Sequence, residues 1–346
     1  MSSPDGKEDL DNDDGEEAGE RRLLTAPHGA AGQRLDKVLA CLVADISRSR
    51  LQQWIDAGSV YVDGVPGTVR QTLCGGERIE VFALPSPEQR SMRPEPMALD
   101  LVYEDDHIVV LDKPPGLVVH PGAGNWTGTL ANGLLARYPQ LAAVPRAGIV
   151  HRLDANTSGL MVVALSLAAQ VDLVRQLQAR TVTREYWAIV AGAAPRAAVI
   201  DAALARDPRN PLRFAVSRSP RARPARTHVR CVRTVGQGRA ALSWIACRLE
   251  TGRTHQIRVH LESIGHPLIG DPVYRRGRQA FVAEASGARD ACARFARQAL
   301  HACRLGLVHP EQRTALTWFR APPPDLRDLM VQCGFSVVDQ AVVAFG

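Results

Sequence analysis

The stretch Gly148–Leu160 concentrates residue types that could do chemistry. A short apolar run carries His151, Arg152 and Asp154 at its end, then turns through Asn156, Thr157, Ser158 and Gly159 into a second apolar strand. An aspartate in such a loop commonly serves a turn or a cap, and local pattern alone favours that reading. Two residues elsewhere raise the functional reading: Tyr186, in a strand pattern, and Arg258, in a helix marked by Ile257, Leu261 and Ile264. A desolvated carboxylate beside a guanidinium stays ionised and oriented, as an acid that must attack or deprotonate requires. An aromatic ring at the same pocket could stack on a base. Spacing does not establish that the three meet.

Other chemistries lack their residues. No Gly-x-Gly-x-x-Gly follows a strand and no phosphate-loop Gly-Lys-Ser/Thr occurs, so no nucleotide cofactor is expected. His255 and His260 stand five apart and His301 stands alone, which is not a metal-ligand spacing, and no metal is expected. Thr157-Ser158-Gly159 lacks the first glycine of a nucleophile elbow. A glycosidase would need a second carboxylate near Asp154, where the motif offers arginine.

Charge points to a polyanion. Residues 1–20 carry nine acids against Lys7, so of the net +6 the remainder holds +14, nearly all of it arginine. Such a field suits nucleic acid, and the guanidinium fork suits phosphate. An arginine-rich surface without that role is the competing reading. Seven cysteines without a Cys-x-x-Cys pair fit reduced thiols in a cytoplasm. The apolar stretch Gly159–Val171 is too short to span a bilayer, and the acidic start resembles neither a secretory signal nor a transit peptide.

The elements that must position these residues fall into two blocks. Residues 1–31 read as a disordered acidic tail. In 32–83, Leu35, Val38, Leu39 and Leu42 mark one helix, and Leu51, Trp54 and Ile55 a second, capped by Ser47 and ended by Gly58. Val60 and Val62 precede an Asp63-Gly64 turn, and Ile79 and Val81 form a last strand. Arg34, Lys37, Arg48 and Arg50 near the helix ends make an RNA-binding platform or serve structure alone. Prolines 85, 87, 94 and 96 mark 84–98 as a linker, and 99–346 alternates strand and helix signals around a central sheet.

Residues 32–83 resemble the small RNA-binding domain named after ribosomal protein S4, through Arg34-Leu35-Asp36-Lys37, Ser47-Arg48-Ser49-Arg50 and Gly58-Ser59-Val60-Tyr61-Val62-Asp63-Gly64. The His151-Arg152-Leu153-Asp154 stretch resembles the corresponding motif of RluA-type pseudouridine synthases. Further matches follow in order: Leu111-Asp112-Lys113-Pro114-Pro115-Gly116, Arg184-Glu185-Tyr186-Trp187-Ala188, Glu250 through His260, Gly270-Asp271-Pro272-Val273-Tyr274 and Gln298-Ala299-Leu300-His301-Ala302. Val118 through Gly124 and Pro145 through Val150, beside the N-terminal block, most resemble the D-type members, which modify the helix 69 stem-loop of large-subunit rRNA. The sequence departs from the family at Ala155-Asn156, where a Lys-Asp pair is common, and at Arg275, where glycine is usual.

The resemblance implies an α+β catalytic domain with a central mixed, largely antiparallel sheet, an isomerisation without cofactor, and rRNA or a pre-ribosomal particle as partner of a cytoplasmic monomer. It implies Asp154 as the essential carboxylate, Arg258 as its ion-pair partner, Tyr186 as the ring stacked on uracil, and Arg152 as the residue that enters the RNA stack. Arg213 and Arg223, in the arginine-rich stretch 206–226, are expected to contact the RNA backbone. Other rRNA or tRNA sites, and a non-catalytic ribosome-assembly factor on the same fold, are the alternative readings.

Overall fold

Leu35, Val38 and Leu39 bury one stripe of helix α1 (Leu35–Leu42) against Leu51, Trp54 and Ile55 of α2 (Arg48–Asp56). The Ser47 hydroxyl accepts the Arg50 N–H and caps α2, which ends before Gly58 at φ +71°. The computed structural model describes residues 21–43, 46–83, 91–122, 124–210, 213–275 and 286–336, in two compact units that divide after Arg90.

In the first unit the helices pack with strands β1 (Arg21–Thr25), β2 (Val60–Val62), β3 (Val65–Pro66) and β4 (Arg78–Phe82), in sheet order β1-β4-β2-β3. The expected tail is corrected here. Arg21–Thr25 pairs antiparallel with β4, its arginines opposite Phe82 and Val81, because backbone pairing along a sheet edge stabilises a segment that composition marks as polar. Residues 1–20 lie outside the described residues, as do 84–90 of the expected linker. The rest of that linker is no free tether: buried Asn132 donates to the carbonyls of Ser91 and Arg93 at 2.8 Å each.

The second unit is built on a mixed sheet of β5 (Leu101–Glu104), β6 (Ile108–Lys113), β7 (Ser158–Ala164), β8 (Thr183–Ala191), β9 (Ala197–Asp201), β12 (Arg226–Val235), β13 (Leu242–Leu249), β14 (Leu300–Val308) and β15 (Ala315–Phe319), with β10 (Leu204–Arg206) and β11 (Phe214–Val216) forming a separate hairpin. The order is β5-β6-β7-β14-β8-β13-β12-β9, with β15 paired to β14. The β7–β14 pair is parallel and the others are antiparallel.

Helices cover both faces, which is why β8 is buried throughout rather than alternately. Tyr186, Ala188 and Val190 join a core with Leu130, Leu134 and Leu135 of α3 (Leu130–Arg137), while Trp187 and Ile189 face Leu326, Leu329 and Met330 of the C-terminal helix (Pro324–Gln332). Helix α4 (Leu167–Gln178) buries Ala169 and Leu173 and leaves Val171 exposed.

His301 of β14 is fully buried; its Nδ1 meets the Ser158 hydroxyl at 3.0 Å and its Nε2 the Arg320 carbonyl at 3.1 Å. Burial holds its pKa down to about 4, so the folded chain keeps it neutral while the unfolded chain takes up a proton below about 6.5. Its contribution is therefore lost as pH falls from about 6.5 to about 4. Unfolding in urea at pH 7 and pH 5 should show His301→Gln losing on the order of 2 kcal/mol less than the parent protein; equal losses would place the acid sensitivity elsewhere.

Candidate active site

Asp154 lies in the loop between Ile149, which bridges to Val163, and β7. Its carbonyl accepts the Thr157 N–H at 2.9 Å, closing a turn. The remaining loop groups are held from several sides. Lys113 is fully buried at the end of β6, and its ammonium donates to the carbonyls of Ala155, Pro114 and Leu117 at 2.7, 2.6 and 3.0 Å. Gly116 N–H shares the Ala155 carbonyl. Arg297 donates to the Asn156 carbonyl at 3.2 Å and Gln298 to the Thr157 hydroxyl at 3.0 Å. Gly159, at φ +119°, follows where any Cβ would run into the Ala302 backbone of β14. The departure at Ala155-Asn156 leaves this intact, since the loop is pinned through backbone carbonyls.

The Asp154 carboxylate is 16% exposed and accepts from Arg258 Nη1 at 3.0 Å. Arg258 extends from α5 (Gln256–Ser263), and its Nε and Nη2 grip Asp271, itself fully buried, at 2.7 and 2.9 Å. One guanidinium thus bridges two acids, and they hold it firmly protonated against the burial that opposes its charge. Asp271 Oδ1 also accepts the N–H groups of Val273 and Tyr274, and Arg275 Nε caps its carbonyl at 2.5 Å, which gives the unexpected arginine a structural place.

Tyr274 lies under this pair, its ring 4.9 Å from the Arg258 guanidinium carbon. Its hydroxyl accepts the Phe214 N–H and meets His255 Nδ1 at 2.8 Å. The other ring nitrogen of His255, Nε2, lies 3.9 Å from Asp154. Burial lowers the His255 pKa and Asp154 opposes it.

A pocket of about 540 Å³ opens over these groups, lined by Asp154, Tyr186, Arg258, Arg152, His255 and Arg184 among others. The volume suits a nucleoside. Tyr186 is 5% exposed, and burial pushes its phenol up to about 12, so it is neutral at physiological pH. The structure therefore brings Asp154, Tyr186 and Arg258 to one cavity, with Arg152 exposed on its lining. Among the described residues no three His, Cys, Asp or Glu side chains cluster as a metal site needs, and no helix is long and apolar enough to cross a membrane.

The expected RNA-contacting arginines divide. Arg213 pairs with Glu262 at 2.9 Å and lies 5.1 Å over Tyr274, so part of its charge is engaged within the fold. Arg223 is exposed, its backbone paired with Leu204. Arg34 and Arg48 both bind buried Asp36, at 3.1 and 2.7 Å, with Gln52 as a third donor. Their primary bonds are structural, although each side chain stays about half exposed. Lys37 is exposed and Arg50 lies 5.7 Å from the Trp54 ring. Sequence reasoning missed Lys113, Asp271, His255 and Arg297 as parts of the site. The signal was available for Asp271, Lys113 and His255, which stand in the motif runs Gly270 to Tyr274, Leu111 to Gly116 and Glu250 to His260.

The family model for RNA pseudouridylate synthase matches residues 107–263, and that for the S4 domain matches residues 33–79. The chain belongs to the RNA pseudouridine synthase family of isomerases and carries an S4 domain before the catalytic unit. It is 51% identical over 321 residues to the ribosomal large subunit pseudouridine synthase D of Neisseria meningitidis serogroup A, spanning 93% of this chain and 84% of that one. Against the protein of the same name from Escherichia coli O6:H1 it is 45% identical over 308 residues, 88% of this chain and 92% of that one. Among solved structures, human RNA pseudouridylate synthase domain containing 1 superposes with a TM-score of 0.51 at 26% identity, covering 72% of this chain and 90% of that one.

Proposed function

We propose that this enzyme converts uridines of large-subunit rRNA to pseudouridine, in the helix 69 stem-loop, with Asp154 acting on the ribose. The observation that carries the reading is the Asp154 carboxylate presented to a nucleoside-sized pocket by an arginine already committed to a second acid. Relatives bearing the large-subunit rRNA name over most of both chains support the target class.

Asp154 serves as nucleophile at the sugar or as the base that leads to a glycal; both need the carboxylate held in place, and Arg258 orients it. Tyr186, a neutral phenol, supplies an aromatic face for the uracil rather than a ready base. Arg152 inserts into the RNA stack as the target nucleotide swings out, since a paired base is unreachable. The S4 unit, with Lys37 and Arg50, contacts the RNA outside the target loop, and Arg223 contributes a backbone contact. The protein works in the cytoplasm as a monomer on rRNA or a pre-ribosomal particle.

Pseudouridine mapping in rRNA from cells lacking the gene tests this. The helix 69 positions should revert to uridine and be restored by the parent gene. An unchanged map in the deletion strain would refute the rRNA assignment.

A further inference from the structure

Arg184 is the buried cation of the pocket that the mechanism has not used. It lies on β8 two residues before Tyr186, hence on the same face of the strand, and it lines the cavity with Asp154. Only 7% of it is exposed. Its Nε is buried with no hydrogen-bond partner, and Nη2 reaches only the Glu250 backbone carbonyl at a long 3.4 Å.

The nearby acids are engaged elsewhere. The Glu250 carboxylate holds His228 and Arg180 at 2.7 and 2.9 Å, and Glu185 faces Arg304. Arg258, Arg213 and Arg297 each have an acid; Arg184 has none among the described residues. His151, kept neutral by burial, gives it no counter-charge. At position 252 a Cβ would stand 2.7 Å from Arg184 Nη1, and the residue there is glycine. A buried guanidinium with unmet donors is unfavourable unless something that enters the pocket meets them.

We propose that Arg184 is a catalytic residue that donates to a carbonyl oxygen of the bound uracil and stabilises the anion formed as the base leaves. The inference rests on reading the Asp154 pocket as the uridine site. When the N1–C1′ bond breaks, its electron pair departs with N1, whether Asp154 has attacked C1′ or taken a sugar proton. The charge spreads over the ring onto O2 and O4. C5 then bonds to C1′ as the Asp154–C1′ ester bond breaks or, on the other route, as Asp154 returns the sugar proton; the C5 proton passes to solvent and N1 takes one from it, so the change is an isomerisation without oxidant or reductant. Both routes share the uracil anion, and a cation waiting in a low-dielectric wall serves both. A phosphate is the poorer match, because Arg146, Arg152 and Arg253 line the same pocket with exposed side chains while Arg184 is sunk beside Tyr186.

The test uses the full chain and a synthetic helix 69 stem-loop carrying uridine, 2-thiouridine or 4-thiouridine at the target, under single-turnover conditions. Arg184→Met should slow the uridine reaction roughly 10²- to 10³-fold with RNA affinity within a few fold, and Arg184→Lys should recover part of the rate. In the parent enzyme, sulfur at the contacted oxygen should slow the reaction, and Arg184→Met should abolish that penalty at one of the two positions. Thio effects unchanged by the substitution, or a loss confined to affinity and mimicked by neutralising one backbone phosphate, would overturn the inference while leaving the pocket assignment standing. Should Arg184→Met not fold, a parent enzyme indifferent to sulfur at both positions overturns it equally. A parent enzyme that modifies no rRNA would remove the uridine-pocket reading and this inference together.

Discussion

Asp154→Asn is expected to eliminate pseudouridine formation, a loss of about 10⁴-fold or more, as for other enzymes stripped of their reacting group. The amide matches the carboxylate in shape but neither attacks carbon nor takes a proton at neutral pH. The rest of the pocket should stay in place. Arg258 would still hold buried Asp271 through Nε and Nη2, so only the Nη1 contact at 3.0 Å changes character. Stability should shift by about 1 kcal/mol, the scale of one hydrogen bond. Because Asp154 is a small, mostly covered acid among exposed arginines, RNA affinity should stay within a few fold. Turnover of rRNA from the deletion strain, with binding measured alongside, separates the outcomes. Normal turnover by the variant would remove Asp154 from the chemistry.

Arg258→Met should be the more damaging change for the fold. It strands a fully buried Asp271 carboxylate, which keeps the Val273 and Tyr274 N–H groups but loses its only cation among the described residues. Breaking one side of a buried pair typically destabilises by about 3–5 kcal/mol. Asp154 loses its orienting donor at the same stroke, so activity should fall together with stability. Arg258→Lys is informative because an ammonium keeps the charge without a planar fork that reaches two acids at once. It should recover part of the stability and little of the rate. Urea unfolding paired with single-turnover rates reads both; a Met variant as stable as the parent would mean that Asp271 does not depend on this arginine.

The S4 unit illustrates how charge and role separate. Arg34 and Arg48 stand at helix ends where a nucleic-acid surface is expected, yet both converge on Asp36, whose carboxylate is fully buried. Their hydrogen bonds and those of Gln52 outweigh the desolvation that opposes the charge, leaving the Asp36 pKa below the usual range. A scan of this surface by charge reversal would therefore confound folding with binding at these two positions, but less so at exposed Lys37.

Local order was legible in the sequence because its causes are local. The α1 and α2 stripes, the Ser47 cap, the Asp63-Gly64 turn at φ +50° and +81°, and the strand leading to Tyr186 each follow from spacing and backbone preference within a few residues. The motif run from Leu111 to Ala302 likewise identified the family and three residues, Asp154, Tyr186 and Arg258, that line one pocket. Tertiary structure decided the remaining charge partners. Arg258 spends its other donors on Asp271, Arg213 is drawn to Glu262 from 49 residues away, Arg184 receives no acid among the described residues, and β1 acquires order only by pairing with β4. Pairing of charges depends on where a folded backbone carries them and on how much water each one loses there, and neither quantity is written in the spacing of residues along the chain.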